Sequence, residues 1–541
     1  MRQKIKLNLM VFSAATIALS SLATVISCSN EVYSTSDIGG LNDWFNPGQK
    51  ENTKLKDYVT KINASNNEKA KALLKQKTIL LTSGSSIGDF SFNQSAWEAI
   101  SKFSLEINNH DNQAFQVFAI SDADQFDAYD YAIAKGFKIW VLTGFQQEWL
   151  LRNWLKVGNN LARFQKAKIN IIALDWFAPD DPNDLLNQIK GSILGINFRS
   201  QEAAFTTSYA MAQLFDEINQ EDPNLFPSEK TLFNSFAGFD TGGVTNFNYG
   251  FYEGLRQYNE DNLVRKRNYF TRVTTPINLN TTFTINNSSK VAIQNEINGN
   301  NHQNQAPQVS FPVAGELTAL AIDLIQKKKS HQWIIGVDTD QSLVYPQDKN
   351  ILLTSVQKKI SVAIYKALLT LYQVDGYDAN NQILPNGYHF NDDNLIVDAQ
   401  NNLANFNVVK GYKDGFVSVA KSTLDANLKF KNQTTYASRY DQIVANTWDT
   451  FFGNKTKAIV GRFNLEKNKI ENNLSGLKPT QDEINAFTKA INQPNDLSSA
   501  NIQAILNLKN VMYGFLTSSN QKNYFEPVLD LINKIKANNY N

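Results

Sequence analysis

Two aspartates stand where short apolar runs end: Asp175 after residues 169–174 and Asp338 after residues 333–337. A carboxylate accepts several hydrogen bonds at once, so each suits the hydroxyl groups of a small molecule. The competing reading for each is an N-cap on the following helix. Gly144 closes another such run. Two phenylalanines, Phe92 and Phe247, lie in loop-like segments where a ring can stack on a flat group. With 34 Phe in the chain, a place in the core is the alternative for both. The residues that would carry catalysis are missing. The 4 His are scattered and form no metal-ligand cluster, no Ser–His–Asp spacing occurs, and no P-loop is present. The pattern is one of binding, not of an enzyme, and calls for no cofactor or metal.

The elements that must position these groups alternate. Residues 54–77 carry apolar positions at helical spacing. Residues 78–82 form a short apolar run that ends in a Gly/Ser loop, and a helical pattern follows over 91–103. Strands at 115–120, 138–142 and 169–174 are separated by helices at 126–134 and 149–164. A second series has strands at 232–236, 269–273, 308–312, 333–337 and 351–353, then a helix at 355–372. Such alternation predicts βαβ units and two doubly wound α/β lobes with parallel sheets. Ligands of such sheets sit at the carboxyl ends of the strands, and two lobes imply a cleft.

The expected organisation is a signal segment at 1–27, a flexible tether at 28–53 and the first part of lobe 1 at 54–200. Lobe 2 follows at 201–354, with a polar insert at 276–307 read as a surface excursion without a site. A return segment at 355–435 crosses the hinge, and 436–541 is expected to be a helical C-terminal extension.

Arg2, Lys4 and Lys6 precede an uncharged apolar stretch that ends at Ile26, followed by Ser27 and Cys28. A positive start, an apolar middle and a small residue before the cut form the shape of a secretion signal. Cys28 is the only cysteine, so it can make no internal disulfide. Its position resembles a bacterial lipobox, which implies acylation of the thiol and a lipid anchor on the extracellular side of the cell membrane. The alternative is a plain membrane anchor, since the run is near the lower limit for a span. Lys+Arg number 52 and Asp+Glu 51, a net charge of +1, so no basic surface for nucleic acid is expected. Nothing points to an oligomer, and a monomer is expected.

Several segments together resemble the basic membrane protein family, the PnrA-like solute-binding lipoproteins. Residues 87–100 read IGDFSFNQSAWEAI, 197–204 read NFRSQEAA, and 236–255 read FAGFDTGGVTNFNYGFYEGL. FPVAG at 311–315, IGVDTDQ at 335–341, LTSVQKKISVA at 353–363 and GYKDGFV at 411–417 follow in family order. The resemblance covers about 78–418. It implies the type I periplasmic-binding-protein fold, with a ligand cleft between two lobes. It also implies delivery of a nucleoside, especially a purine nucleoside, to the permease subunits of an ABC transporter. The implied ligand set is Asp89, Phe92, Asn93, Gly144, Asp175, Phe247, Glu316, Asp338 and Lys358. In it Phe92 and Phe247 would clamp the base, the two strand-end aspartates would hold the ribose, and Lys358 would reach ribose or base. For Lys358 the alternative is a solvated helix charge beside Lys359, and for Asn93 a cap on its loop. Ser83 and Gly88 stand where the family has acids, Phe90 where it has Lys, and Glu316 where it has Gly. These departures keep open a sugar-binding protein, or a surface antigen or adhesin on the same scaffold.

Overall fold

The computed structural model describes residues 31–34, 53–82, 87–89, 91–108, 114–119, 125–179, 181–223, 232–261, 271–272, 278–300, 306–328, 332–374 and 383–453. The expected signal segment, Cys28, Ser83, Phe90 and most of the expected C-terminal extension lie outside them.

The first series of strands is β1 Glu31–Ser34, β2 Thr78–Leu81, β3 Phe115–Ala119, β4 Ile139–Thr143, β5 Asn170–Leu174 and β6 Ile193–Phe198. The second is β7 Leu232–Ala237, β8 Thr271–Arg272, β9 Val309–Val313, β10 Trp333–Asp338 and β11 Leu352–Lys358. After these come β12 His389–Phe390, β13 Ile396–Val397, β14 Phe406–Lys410 and β15 Val417–Val419. One sheet has the order β1-β3-β2-β4-β5-β6-β14 and the other β15-β11-β10-β9-β7-β8. Counted from the first strand of each series, β2 and β7, both read 2-1-3-4-5, with an added strand beyond the fifth. This doubly wound order places its switch point beside the first strand. The fold class expected from the sequence, two doubly wound α/β units of the type I periplasmic-binding topology, is the one observed. Strands such as β2, β4 and β5 are buried along their whole length, which is why they read as unbroken apolar runs.

The chain divides into two compact units, 1–195 with 360–407 and 196–359 with 408–541. It crosses between them three times, within β6, after β11 and within β14. In unit 1 the core is aromatic: Tyr129 stacks on Trp140 at 5.7 Å, and Trp154 and Phe164 pack on the same indole. In unit 2 helix Ser200–Glu221 lies against helix Gly242–Asp261. A Cβ on Gly250 would fall 2.2 Å from the Gln201 carbonyl oxygen, and one on Gly254 2.3 Å from that of Phe205. Only glycine admits so close an approach of two backbones.

Several boundaries differ from expectation. Residues 355–358, read as helix, continue β11; the helix starts at Ile360, where the apolar spacing changes from continuous to helical. The helix read over 149–164 is two, Gln146–Leu155 and Asn160–Ala167, parted at Gly158 with φ +51°. The helix read over 54–77 is also two, because Asn67 accepts a hydrogen bond from Ala70 N and caps Glu68–Leu74. Residues 193–198, outside the expected strands and helices, form β6 directly after Gly191 and Ser192. Glu31–Ser34, inside the expected tether, pairs antiparallel with β3.

The insert is the largest correction. Its helix Asn287–Asn298 buries Ile293 and Ile297 fully, in one cluster with Phe236, Leu317 and Ile334. Asn234 Nδ2 donates to the Glu296 carbonyl and Gln332 Nε2 to that of Ile297. An Asn-rich sequence concealed two core isoleucines one helical turn apart. Among the described residues, no helix is long and apolar enough to cross a membrane.

Candidate functional site

In unit 1 the carboxyl ends of β2, β4 and β5 carry Asp89, Phe92, Asn93, Gly144 and Asp175. Asp89 is buried and accepts from the backbone N–H of Ser91, Asn93 and Gln94 at 3.0, 2.9 and 3.1 Å. Its carboxylate thereby caps helix Phe92–Asn108 and shapes the loop, a positioning role that the ligand reading had not given it. Phe92 is half-buried at the start of that helix. Asn93 is buried, and its Oδ1 accepts from the Thr143 hydroxyl at 2.6 Å, which joins the first and third strand ends. Gly144 follows with φ +94° and donates its N–H to the Leu174 carbonyl.

Behind these residues lies a polar network that the sequence reading missed. Gln147 Nε2 donates to the Leu81 carbonyl and to Gln125 Oε1, and Gln125 donates to the Thr82 carbonyl. Tyr129 donates its hydroxyl hydrogen to Gln147 Oε1. Both glutamines are fully buried and satisfy backbone carbonyls at the strand ends. Nothing in the spacing of two glutamines 22 residues apart signals this. Nearly two turns into the helix, burial raises the Glu98 carboxyl to about 8, against a hydrogen bond from Gln94, with Asp89 adding repulsion.

In unit 2 the equivalent ends carry Phe247, Glu316, Asp338 and Lys358. Lys358 ends β11 and is 4% exposed, so the solvated helix charge is excluded. Its ammonium donates to the Gly243 carbonyl at 2.6 Å and lies 5.0 Å from the Phe247 ring centroid and 5.8 Å from that of Phe198. A cation over two aromatic faces is favourable in a desolvated place. Phe247 is only 1% exposed and meets Phe311 edge-on, so its ring belongs to the core and supports the ammonium. Glu316 Oε1 accepts the Ile285 N–H at 2.8 Å and ties down the insert.

Asp338 ends β10 with φ +64°, and Asp175 follows β5 with φ +63°. Each terminates the fourth strand of its series, so the two occupy topologically equivalent places in the same backbone conformation. Aspartate is among the few L residues that tolerate the left-handed region. Neither is an N-cap. Asp340 caps the helix after β10, accepting from Ser342 N and Oγ, and the segment following Asp175 runs to a 3-10 helix whose N-cap is Leu186. The turn after Asp338 is fixed from behind: Gln341 Oε1 accepts the Val337 N–H, and a Cβ on Gly336 would lie 2.8 Å from that oxygen.

The structure thus joins Asn93 to the Thr143–Gly144 turn, and Lys358 to Phe247.

No family model matches the chain, and no curated protein matches its sequence. Among solved structures, it is similar to a solute-binding protein of an ABC transporter system from Aeropyrum pernix K1, with 16% identity, TM-score 0.43, 70% of this chain and 88% of that one covered. It is also similar to an ABC transporter periplasmic solute-binding protein from Actinobacillus succinogenes 130z with bound D-allose, with 13% identity, TM-score 0.37, and 60% and 99% covered. A transcriptional activator of the comK gene from Bacillus halodurans has 12% identity, TM-score 0.40, and 70% and 98% covered.

Proposed function

We propose that the chain is the solute-binding component of an ABC importer, held on the extracellular face of the cell membrane by acylated Cys28, and that its solute is a nucleoside, purine nucleosides foremost. The observation that carries this reading is the pair Asp175 and Asp338, two carboxylates at equivalent strand ends in the same left-handed conformation. Neither is the N-cap of the helix that follows it, and hydroxyl recognition is the chemistry such carboxylates suit. The ordered resemblance of residues 87–417 to the basic membrane protein family supplies the choice of nucleoside. A carboxylate at a strand end suits the hydroxyls of a hexose as well, so a sugar is the second reading.

The test is a thermal-shift panel on the chain from Ser29 onward, with nucleosides, free bases, nucleotides, pentoses and hexoses. A ligand that binds only the folded state raises the melting temperature, by about 2.7 kcal/mol of stability at one hundred times Kd. Nucleosides are expected to give the rise. Asp338→Asn keeps the backbone conformation and removes the charge, and is expected to weaken binding by about ten-fold or more, as for the loss of a charged hydrogen bond. A rise with hexoses alone moves the assignment to a sugar. No rise with any solute ends the transport reading and leaves the surface-antigen reading in its place.

A further inference from the structure

The first part of the insert, residues 278–285, runs along the carboxyl ends of β7 and β9. Ala237 N donates to the Asn278 carbonyl at 2.8 Å, and Thr281 N and Oγ1 both donate to that of Ala237 at 3.1 Å. Thr282 N donates to the Gly238 carbonyl at 3.1 Å, and the Glu316 carboxylate holds Ile285 from the third strand end. The segment is therefore strapped to two of the strand ends at which doubly wound sheets take their ligands.

The strap carries a ring. Phe283 packs over Gly238 so closely that a Cβ there would fall 2.4 Å from its Cε1, and it lies 3.9 Å from the place of a Cβ on Gly315. Its centroid is 5.3 Å from that of Phe239, with the rings at 54°, and both are half-buried. Thr282, immediately before it, has φ +65°. A β-branched residue in the left-handed region is strained, and such strain persists where surrounding structure holds it, often at ligand clamps. Phe247, which the sequence suggested as the stacking face of this unit, is buried beneath Lys358.

We infer that Phe239 and Phe283 form an aromatic subsite at the carboxyl end of the second sheet, which takes a flat unsaturated ring, the base of a nucleoside. The inference rests on the solute-binding reading and assigns its stacking contact to the insert. Stacking of one base on one ring is worth about 5- to 160-fold in affinity. A saturated solute has no π face to stack there.

The test is calorimetric titration of the chain from Ser29 onward with adenosine and with D-ribose, for wild type, Phe283→Leu and Phe283→Tyr. Leucine keeps apolar cover over Gly238 and removes the ring. Phe283→Leu is expected to weaken adenosine roughly ten-fold and leave D-ribose unchanged, with Phe283→Tyr close to wild type. Equal loss for both probes, or no loss for adenosine, overturns the subsite while solute binding stands. If wild type binds neither adenosine nor ribose, the inference falls together with the nucleoside reading. Should Phe283→Leu fail to fold, Phe239→Leu makes the same comparison from the other ring.

Discussion

Glu98 shows how a single buried carboxyl couples the first strand-end loop to pH. Burial raises it to about 8 from an ordinary 4.5, and the Asp89 carboxylate adds to the rise. Between those values the folded chain keeps a proton that the unfolded chain has released, so stability falls as pH rises through this window. Glu98→Gln removes the effect. It is expected to melt higher than wild type at pH 8.5, by an amount on the order of a few kcal/mol, and to converge with it near pH 4.5. A constant offset across a pH series of melts would contradict this. Among individual residues, those legible in the sequence were the ones that ended apolar runs: Asp175, Asp338 and Gly144. Asp89 was legible as an important acid, but three N–H groups converging on one carboxylate are invisible before the loop is folded. Lys358 was recognised by its motif, yet its burial depended on β11 running five residues beyond the expected end.

The helix pair Ser200–Glu221 and Gly242–Asp261 is the clearest case of an element whose position is set by what is missing. With Gly250 and Gly254 one turn apart, the second helix approaches the Gln201 and Phe205 carbonyls directly. A methyl group at Gly254 has backbone on the other side and cannot be relieved by a rotamer change. Gly254→Ala is expected to cost about 1–3 kcal/mol or more, read as a fall in the urea midpoint. An unchanged midpoint would show that the helices can part. Most strands were legible, because parallel strands buried on both faces read as short apolar runs. The insert was not. Its composition is polar, and the two isoleucines that bury its helix are too few to give a periodic signal among the asparagines.

Taken whole, the chain cannot be cut between its units at one point. Unit 1 needs residues 360–407, because helix Ile360–Leu371 packs on helix Phe92–Asn108. Phe103 meets the rings of Tyr365 and Tyr372 at 5.8 and 4.9 Å, and the Tyr372 hydroxyl is hydrogen-bonded to the Thr78 hydroxyl. A fragment of residues 29–195 alone leaves that aromatic face uncovered. It is expected to show no cooperative melt, and to gain one when 360–407 is joined to it by a flexible linker. A cooperative melt of 29–195 alone would refute this. The two α/β series could be read from the alternation of runs, but the points at which the chain changes unit could not, since β6 and β14 carry no local sign of where they pair.

The left-handed backbone at Asp175 and Asp338 also governs how this protein can change over generations. Glutamate keeps the charge but suits that conformation poorly, whereas asparagine suits it and gives up the charge. If the two carboxylates bind solute as proposed, the easy mutational step alters recognition while leaving the fold intact. On that proposal, a lineage built this way exchanges one solute for another without passing through an unfolded ancestor.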